Sequence, residues 1–224
     1  MDNEREPGST NQRSVVIPSA APRAIEWAAE EIARGGVVAI PTDTVYGLVA
    51  SLAHADAIDR IYELKGRPGE QPLPVLVASI DALEHVTSYV DDRVQMLLNE
   101  FWPGPLTVVI PSDRNLPRAV LGPGNTVGVR IPNHPLAIEV IGKAGGAVAS
   151  SSANRSSEAP ASTAADVEAT FGAELDLILE GGIAPGGRAS TVVAIRGGTL
   201  KILREGPIDE SELQSAWDNY PTSV

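Results

Sequence analysis

The chain contains no cysteine, which removes disulfides, thiolate nucleophiles, iron-sulfur clusters and Cys-built zinc sites. Histidine is scarce too: His54, His85 and His134 lie far apart, without the HxxxH-type spacing of a helical metal site. No protein metal site is expected, and any metal should arrive with a substrate. Long apolar runs are missing, since stretches such as Gly36 to Ile40 stop far short of the roughly 20 residues that cross a bilayer as a helix. The first ten residues are polar and mixed in charge, without the basic start and apolar run of a secretory signal. A soluble, cytoplasmic protein with no membrane partner is expected. Positive charge is in deficit, with 17 Lys and Arg against 29 Asp and Glu for a net charge of -12. That balance works against broad binding to a nucleic-acid backbone, which depends on cations neutralising phosphates. Neither a P-loop GxxxxGK[ST], nor a strand-linked GxGxxG, nor a GxSxG elbow occurs, so the common nucleotide cradles and the hydrolase nucleophile are absent.

What is present, 224 residues of which 43% are hydrophobic and 21% charged, suffices for a substantial core and favours one domain. We read residues 1–18 as a flexible N-terminal segment, 19–208 as the domain and 209–224 as an acidic, peripheral tail able to form a short helix. Ser19 to Gly36 reads as a capped helix and Val37 to Ile40 as a buried strand stopped by Pro41. Helices are expected at Ala55 to Lys65, Asp91 to Phe101, Pro135 to Ile141 and Ala165 to Phe171. Strands are expected at Pro74 to Val77, Leu106 to Ile110, Thr126 to Ile131, Ala147 to Ser150, Leu177 to Leu179, Ser190 to Ile195 and Leu200 to Leu203. This is a mixed α/β pattern without an internal repeat.

Polar segments recur at the ends of the apolar strands: Pro41 to Thr44, Arg130, Ser150 to Asn154 and Arg204. Loops at strand ends are where ligand groups converge in open α/β sheets. Lys65, Arg67, Arg130 and Arg204 supply cations, and Thr42, Thr126, Ser150, Ser152, Asn154 and Ser190 supply short neutral groups, an inventory that suits a phosphorylated ligand. Residue by residue, plainer readings compete. Taken alone, Lys65 complements a helix dipole and Arg67 is a solvated loop charge. Ser150 to Asn154 is more simply a turn, Asp43 a turn former and His134 a helix-start residue. Arg130, between an apolar strand and Pro132, reads equally as a functional group and as a structural ion pair.

Taken together, the motifs resemble the YrdC-like family. Gly36 to Leu48 (GVVAIPTDTVYGL) and Lys65-Gly66-Arg67-Pro68 are the most specific. Trp102 to Thr107 (WPGPLT), Val127 to Pro132 (VGVRIP), Ser152-Ala153-Asn154, Ser190 to Val193 (STVV) and Leu203 to Gly206 (LREG) follow in the family's order. The resemblance covers about residues 24–208. It implies a twisted, mixed and largely parallel sheet flanked by helices (YrdC-like, RibB-like) with a large, concave, locally positive cavity. It implies the synthesis of threonylcarbamoyl-AMP from L-threonine, bicarbonate and ATP with Mg2+, and hand-off to a transferase complex that modifies tRNA, with tRNA binding weak or indirect. By the same resemblance Lys65 and Arg67 are catalytic and, with Thr126, Ser152, Asn154 and Arg204, bind ATP, whereas Thr42, Arg130, Ser150 and Ser190 hold threonine. Lys65 and Arg67 are expected to face a solvent-filled pocket, so that alanine at either removes activity and spares the fold. Three departures stand out: the Pro72 to Leu76 segment where many relatives carry a histidine, Ser157 where glycine is usual, and Ala194 where an acidic residue often follows the Ser-Thr-Val-Val strand. A family paralogue with a different substrate and a non-catalytic RNA-binding module are the competing readings.

Overall fold

Ten strands and six α-helices alternate along the described residues of a computed structural model, which covers 15–66 and 71–219. The strands are β1 (Val15–Pro18), β2 (Val38–Ile40), β3 (Gly47–Ser51), β4 (Val75–Val77), β5 (Leu106–Pro111), β6 (Thr126–Arg130), β7 (Ala147–Ser152), β8 (Leu177–Glu180), β9 (Thr191–Arg196) and β10 (Thr199–Arg204). The helices are α1 (Ala24–Ala33), α2 (Ala55–Lys65), α3 (Asp92–Phe101), α4 (Pro135–Lys143), α5 (Ala164–Phe171) and α6 (Glu210–Asp218). The strands form one sheet in the order β1-β8-β2-β3-β7-β4-β6-β5-β9-β10. β1 with β8, β8 with β2, β4 with β6 and β5 with β9 run parallel, and the other five neighbours are antiparallel. The mixed α/β sheet flanked by helices is the architecture expected from the sequence.

Because side chains alternate across a strand, the register assigns every strand residue to one of two faces. One face carries Leu48, Val75, Val108, Val129, Ala149, Ile178 and Val193, which pack against Ile58 and Ile61 of α2, Leu97 and Leu98 of α3, Phe171 of α5 and Leu213 and Trp217 of α6. On the opposite face, Val38, Ile40, Val49, Leu76, Val148, Leu177 and Leu179 pack against Ala28 and Ile32 of α1 and Val140 and Ile141 of α4. The pairings Leu76 to Arg130, Val109 to Gly128 and Thr107 to Val192 carry that same face onward across β6, β5 and β9. There it becomes Thr107, Val109, Thr126, Gly128, Arg130 and Val192. These residues line a cavity, and among the described residues α1 and α4 pack over only the β1-β8-β2-β3-β7-β4 part of the face.

Several local expectations are corrected. Val15–Pro18 is not flexible but pairs in parallel with Leu177–Glu180, and residues 1–14 lie outside the described set. Ser19 does not cap α1: its N–H donates to Glu180 O and prolongs the strand contact. The helix starts instead at Ala24, behind Arg23 in the left-handed region at φ 64. β3 was not expected, and β7 runs on to Ser152, placing two more serines in the sheet. The acidic tail is helical but not peripheral. Leu213 and Trp217 of α6 are 0% and 2% exposed, and the Arg93 guanidinium lies 4.0 Å from the Trp217 ring centre while donating to Trp217 O.

Candidate active site

The uncovered half of the sheet face floors a cavity of about 340 Å³. Its walls come from the Thr42 to Val45 turn after β2, the Gln71 to Pro74 segment before β4, the Gly122 and Pro123 turn before β6, and Ala189 and Ser190 before β9. Seven residues picked out from sequence line it: Thr42, Thr126, Arg130, Ser150, Ser152, Ser190 and Arg204. The β8–β9 connection closes against the Thr42 to Val45 turn, where a Cβ on Gly186 would sit 2.8 Å from Thr44 Cα. Glycine is therefore required at that close approach.

Arg130 ends β6 with 5% of its surface exposed. Its Nε donates to Gly104 O (2.9 Å), Nη1 to Thr44 Oγ1 (3.0 Å) and Nη2 to Asp43 Oδ1 (2.6 Å). A guanidinium has five N–H groups, so two remain, one on each terminal nitrogen. Burial pushes the Arg130 pKa below its ordinary value and the Asp43 charge opposes that shift. The group starts so high that it stays protonated. The paired reading of Arg130 thus holds, and the same side chain also lines the cavity.

Thr42 differs from its expected role. Its hydroxyl is buried and donates to Val45 O (2.6 Å), and a hydroxyl has one proton to give. The 3.0 Å contact to Thr44 Oγ1 must then be donated by Thr44, which in turn accepts from Arg130. A directed chain runs from Arg130 through Thr44 and Thr42 to the Val45 carbonyl. Thr42 braces the turn behind Arg130, whereas the Ser150 hydroxyl, on the cavity floor, makes no protein hydrogen bond among the described residues.

On the far side of the floor, Arg204 donates from Nε and Nη2 to Ser190 O (3.1 and 2.8 Å) and from Nη2 to Ser190 Oγ (3.1 Å). Ser190 Oγ also lies 2.8 Å from Thr107 Oγ1. Thr126 donates to Pro123 O (3.1 Å) and stays partly exposed at the rim.

Lys65, Ser152 and Asn154 do come together, but not as an open cation cluster. Lys65 is 3% exposed, and its ammonium donates to Ser152 O (2.8 Å), Asn154 O (2.9 Å) and Asn154 Oδ1 (3.1 Å), with Ser152 Oγ at 3.4 Å. Ser152 Oγ donates to Asn154 Oδ1 (2.5 Å), and Asn154 Nδ2 donates to Arg155 O and Glu158 O. Of the three, Ser152 alone lines the cavity. The expectation that Lys65 faces a solvent-filled pocket is therefore corrected: a buried ammonium is tolerated because neutral oxygens surround it. Arg67 lies outside the described residues.

Asp43, Thr44, Thr107 and Arg196 were not assigned as site residues from the sequence. Asp43 and Thr44 sat inside the quoted Gly36 to Leu48 motif, and Thr107 inside the Trp102 to Thr107 motif. Arg196 closes β9 after the Ser190 to Val193 motif and reaches the cavity. Leu76, one of the noted departures, forms part of the apolar wall. Ser157 adopts φ 71, the left-handed backbone that glycine would accept without strain. His134 occupies the N-cap position of α4 in an extended conformation without a side-chain capping bond, and its buried Nδ1 has no partner among the described residues. Burial holds its pKa below the ordinary value, opposed by Asp43.

Comparison with known proteins identifies the family and the fold. The Sua5/YciO/YrdC family model, described as "Telomere recombination", matches residues 30–206. Threonylcarbamoyl-AMP synthase of Pyrococcus abyssi is 37% identical over 203 residues, covering 88% of this chain and 60% of its own. The chain thus spans about three fifths of that relative's length. Threonylcarbamoyl-AMP synthase of Halorhodospira halophila is 37% identical over 164 residues, covering 73% of this chain and 86% of its own. The solved structure of P. abyssi Sua5 complexed with L-threonine superimposes with a TM-score of 0.84 at 34% identity, covering 90% of this chain and 60% of that one. From the family model, these relatives and the shared sheet, the chain belongs to the Sua5/YciO/YrdC family.

Proposed function

We propose that the protein is an L-threonylcarbamoyladenylate synthase, converting L-threonine, bicarbonate and ATP into threonylcarbamoyl-AMP and pyrophosphate. The observation that carries this reading is the pair of arginines on one cavity floor, with Arg130 immobilised and still holding two N–H groups for an incoming carboxylate. Planar bidentate recognition of that kind is what a guanidinium does best. In this reading Arg130 holds the threonine carboxylate, with Ser150 and Ser190 beside it and Thr42 acting through the turn. Arg204, Thr126 and Ser152 face the ATP, backed by the buried Lys65 charge and Asn154, and Arg67 is assigned to the same phosphates by its motif. Mg2+ enters with ATP as part of that substrate.

The chemistry needs no covalent enzyme nucleophile. The threonine amine takes up the one-carbon unit from bicarbonate, with loss of water, to give a carbamate. A carbamate oxygen then attacks the α-phosphorus and pyrophosphate leaves. Catalysis consists of holding two anionic reactants in line and stabilising charge as it moves to the leaving group. Named relatives that make threonylcarbamoyl-AMP support the reaction, and the threonine complex of P. abyssi Sua5 supports the amino acid. The product would pass to a transferase complex that modifies tRNA. Among the described residues no helix is long and apolar enough to cross a membrane, and a cytoplasmic site of action is proposed with the function.

The test is pyrophosphate release by purified protein given ATP, Mg2+ and bicarbonate with L-threonine, L-serine, glycine or no amino acid. Release that requires both threonine and bicarbonate supports the assignment. Release with another amino acid selects a paralogous substrate. No release from folded protein, with tRNA binding that falls steeply with salt, selects the RNA-binding reading.

A further inference from the structure

We infer that Asp43 is the positioning residue of the amino-acid site: it fixes the plane of the Arg130 guanidinium, and that geometry rather than its charge is what the substrate carboxylate reads. The inference rests on the proposed assignment of a substrate carboxylate to Arg130. Asp43 is not among the residues lining the cavity, and its closest link to a ligand there is its bond to Arg130. Its Oδ1 accepts from Arg130 Nη2 at 2.6 Å and from the Asn133 backbone N–H at 3.0 Å. The second bond ties the carboxylate to the chain just beyond β6, so Asp43 is itself held and cannot follow a moving arginine. Its side chain is 14% exposed and that of Arg130 6%, leaving little room for water to replace either partner.

The other two bonds of Arg130, to Gly104 O and Thr44 Oγ1, come from different segments, so three anchors define the guanidinium plane. The remaining N–H groups are then pre-aimed, and a carboxylate binds without ordering the side chain first. The Asp43 charge acts in the opposite sense. It neutralises Arg130 and weakens the pull on a second carboxylate. Geometry and charge therefore make opposite predictions, and two conservative variants separate them. Asp43→Asn keeps an oxygen acceptor at the same place and removes the charge. Asp43→Glu keeps the charge and displaces the acceptor by one methylene.

The experiment measures KM for L-threonine and for ATP, kcat, and thermal stability in both variants. It adds the guanidinium 15N–1H signals of Arg130 in the full chain, assigned by their loss in Arg130→Gln. If Asp43 positions Arg130, Asp43→Asn keeps the threonine KM within about threefold of the parent or lowers it. Asp43→Glu raises it about 10- to 100-fold, as expected for an ångström-scale misplacement, with the ATP KM within about twofold. The Arg130 signals stay slow to exchange in the parent and in Asp43→Asn and are broadened in Asp43→Glu. The inference is overturned if Asp43→Glu behaves as the parent while Asp43→Asn does not, or if both KM values rise together with a loss of thermal stability. If the parent shows no dependence on threonine, the proposed function fails, and the Arg130 signals still decide: identical exchange in all three proteins ends the positioning role.

Discussion

Replacing Lys65 by methionine removes one buried positive charge and keeps an unbranched side chain of similar length. In the folded protein the ammonium sits among Ser152 O, Asn154 O, Asn154 Oδ1 and Ser152 Oγ and has three N–H groups to share among them. At the lower end for hydrogen bonds to a charged group, about 1.5 kcal/mol each, the three contribute about 4–5 kcal/mol. Methionine restores about 2 kcal/mol through its buried apolar surface, and Asn154 Oδ1 keeps the donor from Ser152 Oγ. The expected net loss is about 2–3 kcal/mol, which for a chain of this size lowers Tm by about 5–10 °C. Differential scanning calorimetry without ligands reads this directly. A lysine facing a solvent-filled pocket would contribute almost nothing to folding, so a Tm within about 1 °C of the parent refutes the buried-clamp account. Activity should also fall, because Ser152 is the member of the cluster that reaches the cavity, but the stability loss is what separates the two pictures.

Ser157→Gly should raise stability by about 0.5 kcal/mol, since the relief of left-handed strain at φ 71 slightly exceeds the added freedom of the unfolded chain. A lower urea midpoint would contradict it. Trp217→Ala should lose about 3–5 kcal/mol because the ring is buried in the main core and covered by Arg93. A change below about 1 kcal/mol in urea denaturation would return α6 to the periphery. His134, whose folded pKa is held below 6.5 by burial, binds its proton more readily when unfolded. Its contribution to stability is therefore complete above pH 6.5 and is lost as pH falls through the folded value. His134→Asn keeps a residue suited to the helix N-cap and should flatten the fall in stability as pH drops below 6.5. An unchanged slope in urea titrations would assign that fall to other groups.

The sequence by itself determined the α/β alternation, most element positions, and the groups that meet at the cavity, because strand and helix periodicities are local and the polar motifs stand at strand ends. Seven of the assigned residues line one cavity although they come from segments far apart in the chain. Tertiary structure alone decided the direction in which each group is used. Lys65 turned inward and the Thr42 hydroxyl is committed within its own turn, since their partners, Ser152 O, Asn154 O and Val45 O, are backbone oxygens that no side-chain pattern advertises. Asp43 became the counter-charge of Arg130 because the turn after β2 reaches the end of β6, 87 residues away at that contact, although the two strands run antiparallel. The tail proved to be core because Trp217 meets Arg93 across a separation of 124 residues. The cavity exists for the same reason: α1 and α4 cover one half of a sheet face and leave β6, β5 and β9 bare, a consequence of strand order that composition and periodicity do not encode.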